Sequence, residues 1–207
     1  MFDARLQPWL RRMFDPLAAP LAARGASADA VTLAGFGFGV AASLAFCAGA
    51  FRLGLVLLLL NRFADGLDGA LARRLGATRR GAFLDIALDF AVYALVPLGF
   101  AVADPARNAL AAAVLLAAFI GTGSSFLAFA AVAHGKAPAF PTKGIYYLGG
   151  LTEGGETIAF FAGFALWPAA FPALASIFAA LCLVTTLTRW RWGWLAFAPD
   201  VAKGGDG

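Results

Sequence analysis

Four aspartates lie close together in a chain that is otherwise strongly apolar. Asp65 and Asp68 are three residues apart, and Asp85 and Asp89 are four apart, in the stretch DGLDGALARRLGATRRGAFLDIALDF. If both segments are helical, these spacings place each pair of carboxylates on one helix face. Paired carboxylates bind hard divalent cations or act as general acids and bases. The pattern therefore predicts two carboxylate pairs for metal-dependent or acid–base chemistry.

The elements that position these aspartates are predicted to be membrane helices. Of the 207 residues, 61% are hydrophobic and only 14% are charged, and the mean hydropathy is +0.80. Soluble domains are about half apolar and about a quarter charged. A spanning helix needs roughly 20 mostly apolar residues. We predict an all-α integral membrane protein with six transmembrane helices, at about 30–50, 53–74, 82–102, 108–133, 145–166 and 171–190.

The first 25 residues are too polar and too rich in proline to span a membrane. Their apolar residues recur at helical spacing, with Arg11 and Arg12 between them: Phe2, Leu6, Trp9, Leu10, Met13, Phe14 and Leu17. This pattern is typical of an amphipathic helix in the membrane interface, and a partly ordered tail is the alternative. We predict an interfacial helix in 1–25, a six-helix membrane domain in 26–195 and a flexible tail in 196–207. Ser27 is the expected N-cap of the first span.

The basic residues are divided unequally between the two ends of the predicted spans. Of the 16 lysines and arginines, only Arg52 and Arg107 fall on the side opposite the termini, and Arg62 falls within a span. Cytoplasmic loops of membrane proteins carry an excess of such residues. Both termini and the aspartate cluster are therefore predicted to face the cytoplasm. The formal net charge of +4 reflects this topology, and we expect no nucleic-acid partner.

Four carboxylates at one membrane rim need a countercharge. A single aspartate at the centre of a spanning helix costs about 2.5–3.5 kcal/mol on insertion scales, and neighbouring carboxylates also repel each other. Divalent cations suit such all-oxygen clusters, and paired cations assist phosphoryl transfer. The intervening arginines could instead neutralise the acids or hold a phosphate. Small residues between the pairs leave room for a ligand, although they also permit close helix packing.

The order of these residues resembles the signature of the CDP-alcohol phosphatidyltransferase family. The similar pattern is Asp65-x-x-Asp68-Gly69-x-x-Ala72-Arg73, followed by Gly81-x-x-x-Asp85-x-x-x-Asp89. The six-span topology and the interfacial helix also resemble small bacterial inner-membrane members of that family. Two features differ from the family pattern. Seven residues separate Arg73 from Gly81, where most members have one more, and Asp29 stands where the family often has asparagine.

The resemblance implies a role for each matched residue. Asp65, Asp68 and Asp85 would hold two divalent cations, Mg²⁺ or Mn²⁺, with Asp89 at their edge as a further ligand and as the general base. The residues that would bind the cytidine diphosphate group are Asp68, Gly69, Ala72, Arg73 and Gly81. The acceptor hydroxyl would attack the lipid-side phosphorus and release CMP, without a covalent enzyme intermediate. The resemblance also implies a homodimer among membrane lipids.

Lys143, Glu153 and Glu156 are the candidates for selecting the acceptor alcohol. Ionisable residues within a membrane are functional candidates by default, and the two glutamates could orient an amino alcohol or a polyol. Alternatively, they pair with Lys143, Arg62 or Arg189 and stabilise the bundle. A phosphorylated acceptor would need a dense cationic pocket, whereas the candidate cations are spread over several spans. We therefore expect a non-phosphorylated or amino-alcohol acceptor.

Alternatives remain open for the donor and for the class of function. The compact chain resembles bacterial members and favours CDP-diacylglycerol as donor, and the alternative is a soluble CDP-alcohol that reacts with diacylglycerol. A cation or proton-coupled carrier would need polar residues near mid-membrane on several spans, whereas these acids gather at one rim. A binding scaffold would not need a base in addition to metal ligands. The sequence thus favours an enzyme.

Overall fold

The computed structural model describes residues 2–133 and 154–197, with side chains from residue 9 onward. These residues form α-helices joined by short connections, and no β-strand occurs in the described ranges. The helices are α1 (Phe2–Ala23), α2 (Ala28–Cys47), α3 (Phe51–Leu75), α4 (Arg79–Ala103), α5 (Pro105–Val132), α6 (Gly154–Leu166) and α7 (Phe171–Ala196). A 3-10 turn, Pro168–Ala170, precedes α7. The all-α prediction is confirmed for these ranges.

Several of these helices can cross a membrane. By length and composition, α2, α4, α5 and the segment Pro168–Ala196 qualify among the described residues. Helix α3 has 25 residues, but from its middle onward it carries Asn61, Arg62 and the first aspartate pair. Helix α6 has 13 described residues, and the beginning of the predicted span 145–166 lies outside the described ranges. A multi-pass membrane protein is therefore supported, and six spans remain a prediction.

Side-chain caps and a glycine turn define the helix ends around the aspartates. The backbone N–H of Ala30 donates to Ser27 Oγ at 3.2 Å, so the predicted N-cap of α2 is confirmed. Thr78 caps α4 in the same way, because the N–H of Gly81 donates to its Oγ1 at 2.9 Å. Helix α3 ends at Gly76, whose φ of 98° favours glycine. The two aspartate-bearing helices are thus joined by only three residues, 76–78.

Stacked phenylalanines form the core away from the aspartates. The ring of Phe100 in α4 lies parallel to that of Phe171, with their centroids 4.8 Å apart. Phe164 meets Phe171 edge to face at 5.0 Å, and Phe46 also contacts Phe100. All four side chains are fully buried. Aromatic pairs in these arrangements each contribute about 0.5–1.5 kcal/mol beyond their buried area, so they fix α2, α4, α6 and α7 relative to one another.

Glycines on α2 allow it to pack closely against both aspartate-bearing helices. A Cβ on Gly35 would lie 2.9 Å from the Cβ of Ala64 in α3, and one on Gly39 would lie 2.5 Å from Val92 in α4. Both contacts are too close for any side chain larger than hydrogen. Helix α2 therefore links α3 to α4 and sets their relative position.

The N-terminal segment is helical and packs against α3. Phe14 and Ala18 are buried with Ala70 and Leu71, and Gly66 leaves the space that the Phe14 ring occupies. Four large apolar side chains in the described part of α1 are exposed, at Trp9, Leu10, Met13 and Leu17. The helix itself thus agrees with the sequence, whereas its position in the membrane interface remains a prediction.

Candidate active site

Three of the four aspartates converge at the ends of α3 and α4 that the short connection joins. Asp65, Asp68 and Asp85 each offer one carboxylate oxygen, and these oxygens all lie within 4.8 Å of one another. Asp68 is buried, Asp65 is half-buried and Asp85 is exposed. The two helices thus bring both carboxylate pairs to one place, as their spacing predicted. Asp85 therefore lies on the exposed side of the cluster and Asp68 on its buried side.

This arrangement fits a divalent cation. Opposite oxygens in a Mg²⁺ octahedron lie about 4.1 Å apart, and those around larger cations lie further apart. The observed 4.8 Å spread needs only small side-chain adjustments to reach that geometry. All three donors are carboxylates, the donor type that Mg²⁺ and Mn²⁺ prefer. The residues present therefore suit the predicted cations.

Asp89 lies beside this group but has a different partner. Its Oδ1 accepts a hydrogen bond from Nη2 of Arg62 at 2.6 Å, which is also an ion pair. Nη1 of Arg62 lies 3.8 Å from Asp65. Arg62 thus neutralises Asp89 most directly and connects it to the carboxylate group.

A small pocket and a larger groove meet at these residues. The small pocket is lined by residues of α2, α3 and α4, including Thr32, Asn61, Asp65, Asp68 and Asp85. The groove, with a volume of about 1100 Å³, extends from it past α5, α6 and α7. Arg62, Asp65 and Asp89 line both. These three residues therefore form the boundary between the carboxylate pocket and the groove.

The predicted nucleotide-binding residues lie on both sides of the short connection. Nη2 of Arg73 pairs with Asp15 of α1 at 2.9 Å, and Gly69 lies against the guanidinium of Arg73. Ala72 lies between them on α3 and is half-buried. A Cβ on Gly81 would lie 3.1 Å from Oδ1 of Asp29. Gly69 and Gly81 thus have no side chain of their own where the side chains of Arg73 and Asp29 approach.

Asp29 on α2 is one of the two departures from the family pattern, and it forms an ion pair with Arg80 at the start of α4. Its Oδ2 accepts a hydrogen bond from Nε of Arg80 at 2.7 Å. Arg80 is largely exposed, whereas the Asp29 side chain is only 17% exposed. An asparagine would lack the charge for this ion pair. The acid at this position therefore gives the shortened loop a fixed contact with α2.

The acceptor candidates are only partly described. Lys143 and Glu153 lie outside the described ranges, and Glu156 is half-buried in the first turn of α6. The structure does bring Arg62 and Arg189 to the same groove, although the sequence separates them widely. Arg189 is buried, and its Nη1 donates to the carbonyl oxygen of Thr122 at 3.0 Å. In this groove the charge of Arg62 is balanced by Asp89, and Arg189 adds a second guanidinium group.

Sequence reasoning assigned no role in the aspartate site to Arg62, Asn61 or Asp15. For Arg62 the available signal was its position three residues before Asp65, one helical turn away. Asn61 and Asp15 gave no comparable signal, because Asn61 is anchored to Gly35 on α2 and Asp15 pairs with Arg73 on α3.

Comparisons with known proteins agree with the geometry. The sequence model described as CDP-alcohol phosphatidyltransferase matches residues 26–198. The inner membrane protein YnjF of Escherichia coli K12 is 51% identical over 198 residues, which is 94% of this chain and 96% of that protein.

Two solved structures of the phosphatidylinositol phosphate synthase PgsA1 of Mycobacterium tuberculosis are also similar. One, in complex with manganese and citrate, has a TM-score of 0.69 at 27% identity and covers 87% of this chain and 88% of that one. The other, with CDP-DAG bound, has a TM-score of 0.75 at 24% identity and covers 95% of this chain and all of that one. The latter likeness concerns the fold alone.

Proposed function

The chain belongs to the CDP-alcohol phosphatidyltransferase family, and we propose that it transfers a phosphatidyl group from CDP-diacylglycerol to a small alcohol, releasing CMP. The observation that carries this proposal is the group of three carboxylates within 4.8 Å, with Asp89 beside it on the boundary of a large groove. The groove lies mostly among apolar side chains, which suits acyl chains. The 27% identical relative was solved with manganese, which supports a divalent cation.

Each step of the reaction has a residue that can perform it. Asp65, Asp68 and Asp85 would hold two divalent cations, with Asp89 at their edge, and the cations would stabilise negative charge on the departing phosphate. Asp68, Gly69, Ala72, Arg73 and Gly81 would bind the cytidine diphosphate. Asp89 would accept the proton of the acceptor hydroxyl. The hydroxyl oxygen then bonds to the lipid-side phosphorus, and the bond from that phosphorus to the CMP oxygen breaks.

We further propose that the site faces the cytoplasm, with both termini on that side. The arginines at 73, 74, 79 and 80 flank the aspartates, and such residues are retained on the cytoplasmic side. We also propose that the protein forms a homodimer, because the family resemblance implies one.

The direct test uses purified protein with radiolabelled CDP-diacylglycerol, Mg²⁺ or Mn²⁺ and a panel of acceptors. The panel contains glycerol, inositol, serine, ethanolamine and the phosphorylated forms of glycerol and inositol. We expect CMP release and one labelled lipid product with a subset of these. A parallel reaction with a CDP-alcohol and diacylglycerol tests the reverse assignment of donor. If no pair of substrates releases CMP, the proposed function is wrong.

A phosphorylated polyol is the second candidate acceptor. Arg189 lines the groove beside the site, and guanidinium groups bind phosphate through paired hydrogen bonds. The relative solved with manganese is described as a phosphatidylinositol phosphate synthase. If only phosphorylated acceptors react, this candidate replaces the non-phosphorylated alcohol.

Replacing Glu153 or Glu156 by glutamine is expected to change the order of preference among acceptors. Each change removes a negative charge, and Glu156 lies between Gly155 and Thr157, which line the groove. Amino alcohols should therefore lose more than polyols. The affinity for the cytidine donor should change little. Competition assays with paired acceptors measure the preference. An equal loss toward every acceptor would indicate a structural role for these glutamates.

Replacing Asp15 by asparagine is expected to increase the affinity for the donor. Asp15 holds the guanidinium of Arg73, which we assign to the cytidine diphosphate group. Both side chains are about half exposed, so we expect a modest gain of about two- to fivefold, in line with the 0.2–1 kcal/mol of exposed ion pairs. Equilibrium binding of CMP and of CDP-diacylglycerol measures it. An unchanged or lower affinity would show that the contact with Asp15 does not compete with the donor.

A further inference from the structure

We propose that Arg62 is a positioning residue for Asp89 and fixes the direction in which that carboxylate accepts a proton. This inference rests on the proposed function, in which Asp89 is the general base. It assigns a role to a residue outside the aspartate signature.

The contact between the two side chains is short and sheltered. Nη2 of Arg62 lies 2.6 Å from Oδ1 of Asp89, and the side chains are 15% and 29% exposed. Charge-assisted hydrogen bonds of this kind are about twice as strong as neutral ones. A carboxylate has two oxygens, and the arginine engages Oδ1. The proton-accepting role can then fall to Oδ2 of the same carboxylate, which is held at a defined angle.

The guanidinium is itself anchored to the backbone of α2 through Asn61. Nε of Arg62 donates to Oδ1 of Asn61 at 2.8 Å. Nδ2 of Asn61 donates in turn to the carbonyl oxygen of Gly35 at 2.9 Å. Asn61 is buried, so this connection is protected from water. Asp89 on α4 is therefore oriented by a chain of hydrogen bonds that begins on α2 and passes through α3.

A second set of contacts restricts the plane of the guanidinium. Its central carbon lies 5.6 Å from the centre of the Tyr93 ring, and Nη1 lies 3.4 Å from the Tyr93 hydroxyl oxygen. Arg62 thus has separate partners for Nε, Nη1 and Nη2. A lysine would keep the positive charge but could not reproduce this planar arrangement. The geometry therefore points to orientation, in addition to neutralisation, as the role of Arg62.

The location of the pair agrees with this role. Arg62 and Asp89 line both the carboxylate pocket and the groove. An acceptor alcohol in the groove would meet Asp89 at this boundary, next to the phosphorus that it attacks. A base at such a point must be placed accurately, because a displacement of about 1 Å can cost about 100-fold in rate.

The test compares Arg62→Lys and Asn61→Ala with the wild type, using the acceptor found in the panel above. The matched control is Arg52→Gln, which removes an exposed arginine from the first turn of the same helix. We expect Arg62→Lys to lower kcat by about 100-fold. The KM for the donor and the binding of Mn²⁺, measured by electron paramagnetic resonance, should change little. Asn61→Ala keeps Arg62 but removes its anchor, so it should lower kcat by a smaller factor.

A double variant separates positioning from a general structural effect. If Arg62 acts through Asp89, Arg62→Lys should cause little additional loss in an Asp89→Asn background, because effects that share one route are not additive. Full kcat in Arg62→Lys, or full additivity in the double variant, would overturn the inference. Loss of Mn²⁺ binding in both Arg62→Lys and Asn61→Ala would also overturn it in favour of a structural role. Because the wild type must first release CMP, failure of the proposed function is seen separately.

Discussion

Replacing Asp89 by asparagine is expected to lower kcat for CMP release by about 10²–10⁴-fold, the range that a positioned general base contributes. Asparagine keeps the size of the side chain and can still accept a hydrogen bond from Arg62 through its amide oxygen. It cannot take a proton from the acceptor hydroxyl. Three carboxylates remain for the cations, so Mn²⁺ binding should persist. Initial rates with labelled CDP-diacylglycerol and titration with Mn²⁺ measure the two effects.

Asp104→Asn provides the matched control for this variant. Asp104 caps α5, where its Oδ1 accepts from the N–H of Arg107 at 3.2 Å, and asparagine is an equally good N-cap. The same chemical change at the connection between α4 and α5 should therefore leave the rate as it is. If Asp89→Asn retains the wild-type rate, Asp89 is not the base. If it loses all Mn²⁺ binding, its principal role is that of a metal ligand.

Replacing Asp65 by alanine is expected to abolish activity by weakening metal binding. The change removes one of three oxygens that lie within 4.8 Å of one another, and it removes the carboxylate that lies 3.8 Å from Nη1 of Arg62. Loss of an outer-shell partner alone reduces metal affinity by about 10–100-fold, and loss of a direct ligand should cost at least as much. Part of the rate should return at high Mn²⁺ concentration. Rate measured as a function of Mn²⁺ concentration tests both points.

Asp85→Ala should behave like Asp65→Ala, because its carboxylate completes the same group from α4. An unchanged affinity for Mn²⁺ in both variants would contradict the assignment of these aspartates as ligands. A rate that stays low at every Mn²⁺ concentration, with normal Mn²⁺ binding, would instead place these residues in donor binding.

The sequence predicted those parts of the site that depend on spacing within one helix. The three- and four-residue intervals of the aspartates define two pairs on two helix faces, and the short connection between α3 and α4 brings the pairs together. The cap at Ser27 is local in the same sense.

The sequence could not predict contacts that depend on how separate helices cross. The pairing of Arg62 with Asp89 joins residues 27 positions apart, and that of Arg73 with Asp15 joins residues 58 positions apart. The convergence of Arg62 and Arg189 in one groove depends on α6, which contacts both α3 and α7. Composition alone also does not fix the number of membrane spans. The polar residues that build the site lower the hydropathy of α3, so this helix resembles a membrane span less than the others do.

The close packing of α2 has a consequence for the affinity of the site. Gly35 fits against α3 and Gly39 against α4, so α2 acts as a spacer whose thickness sets how far apart the two ligand-bearing helices stand. This helix supplies none of the three carboxylates of the group, yet its width fixes the aperture between them. If the group holds divalent cations as proposed, discrimination between a smaller and a larger cation would depend on this backbone-to-backbone distance as well as on the chemistry of the donor atoms.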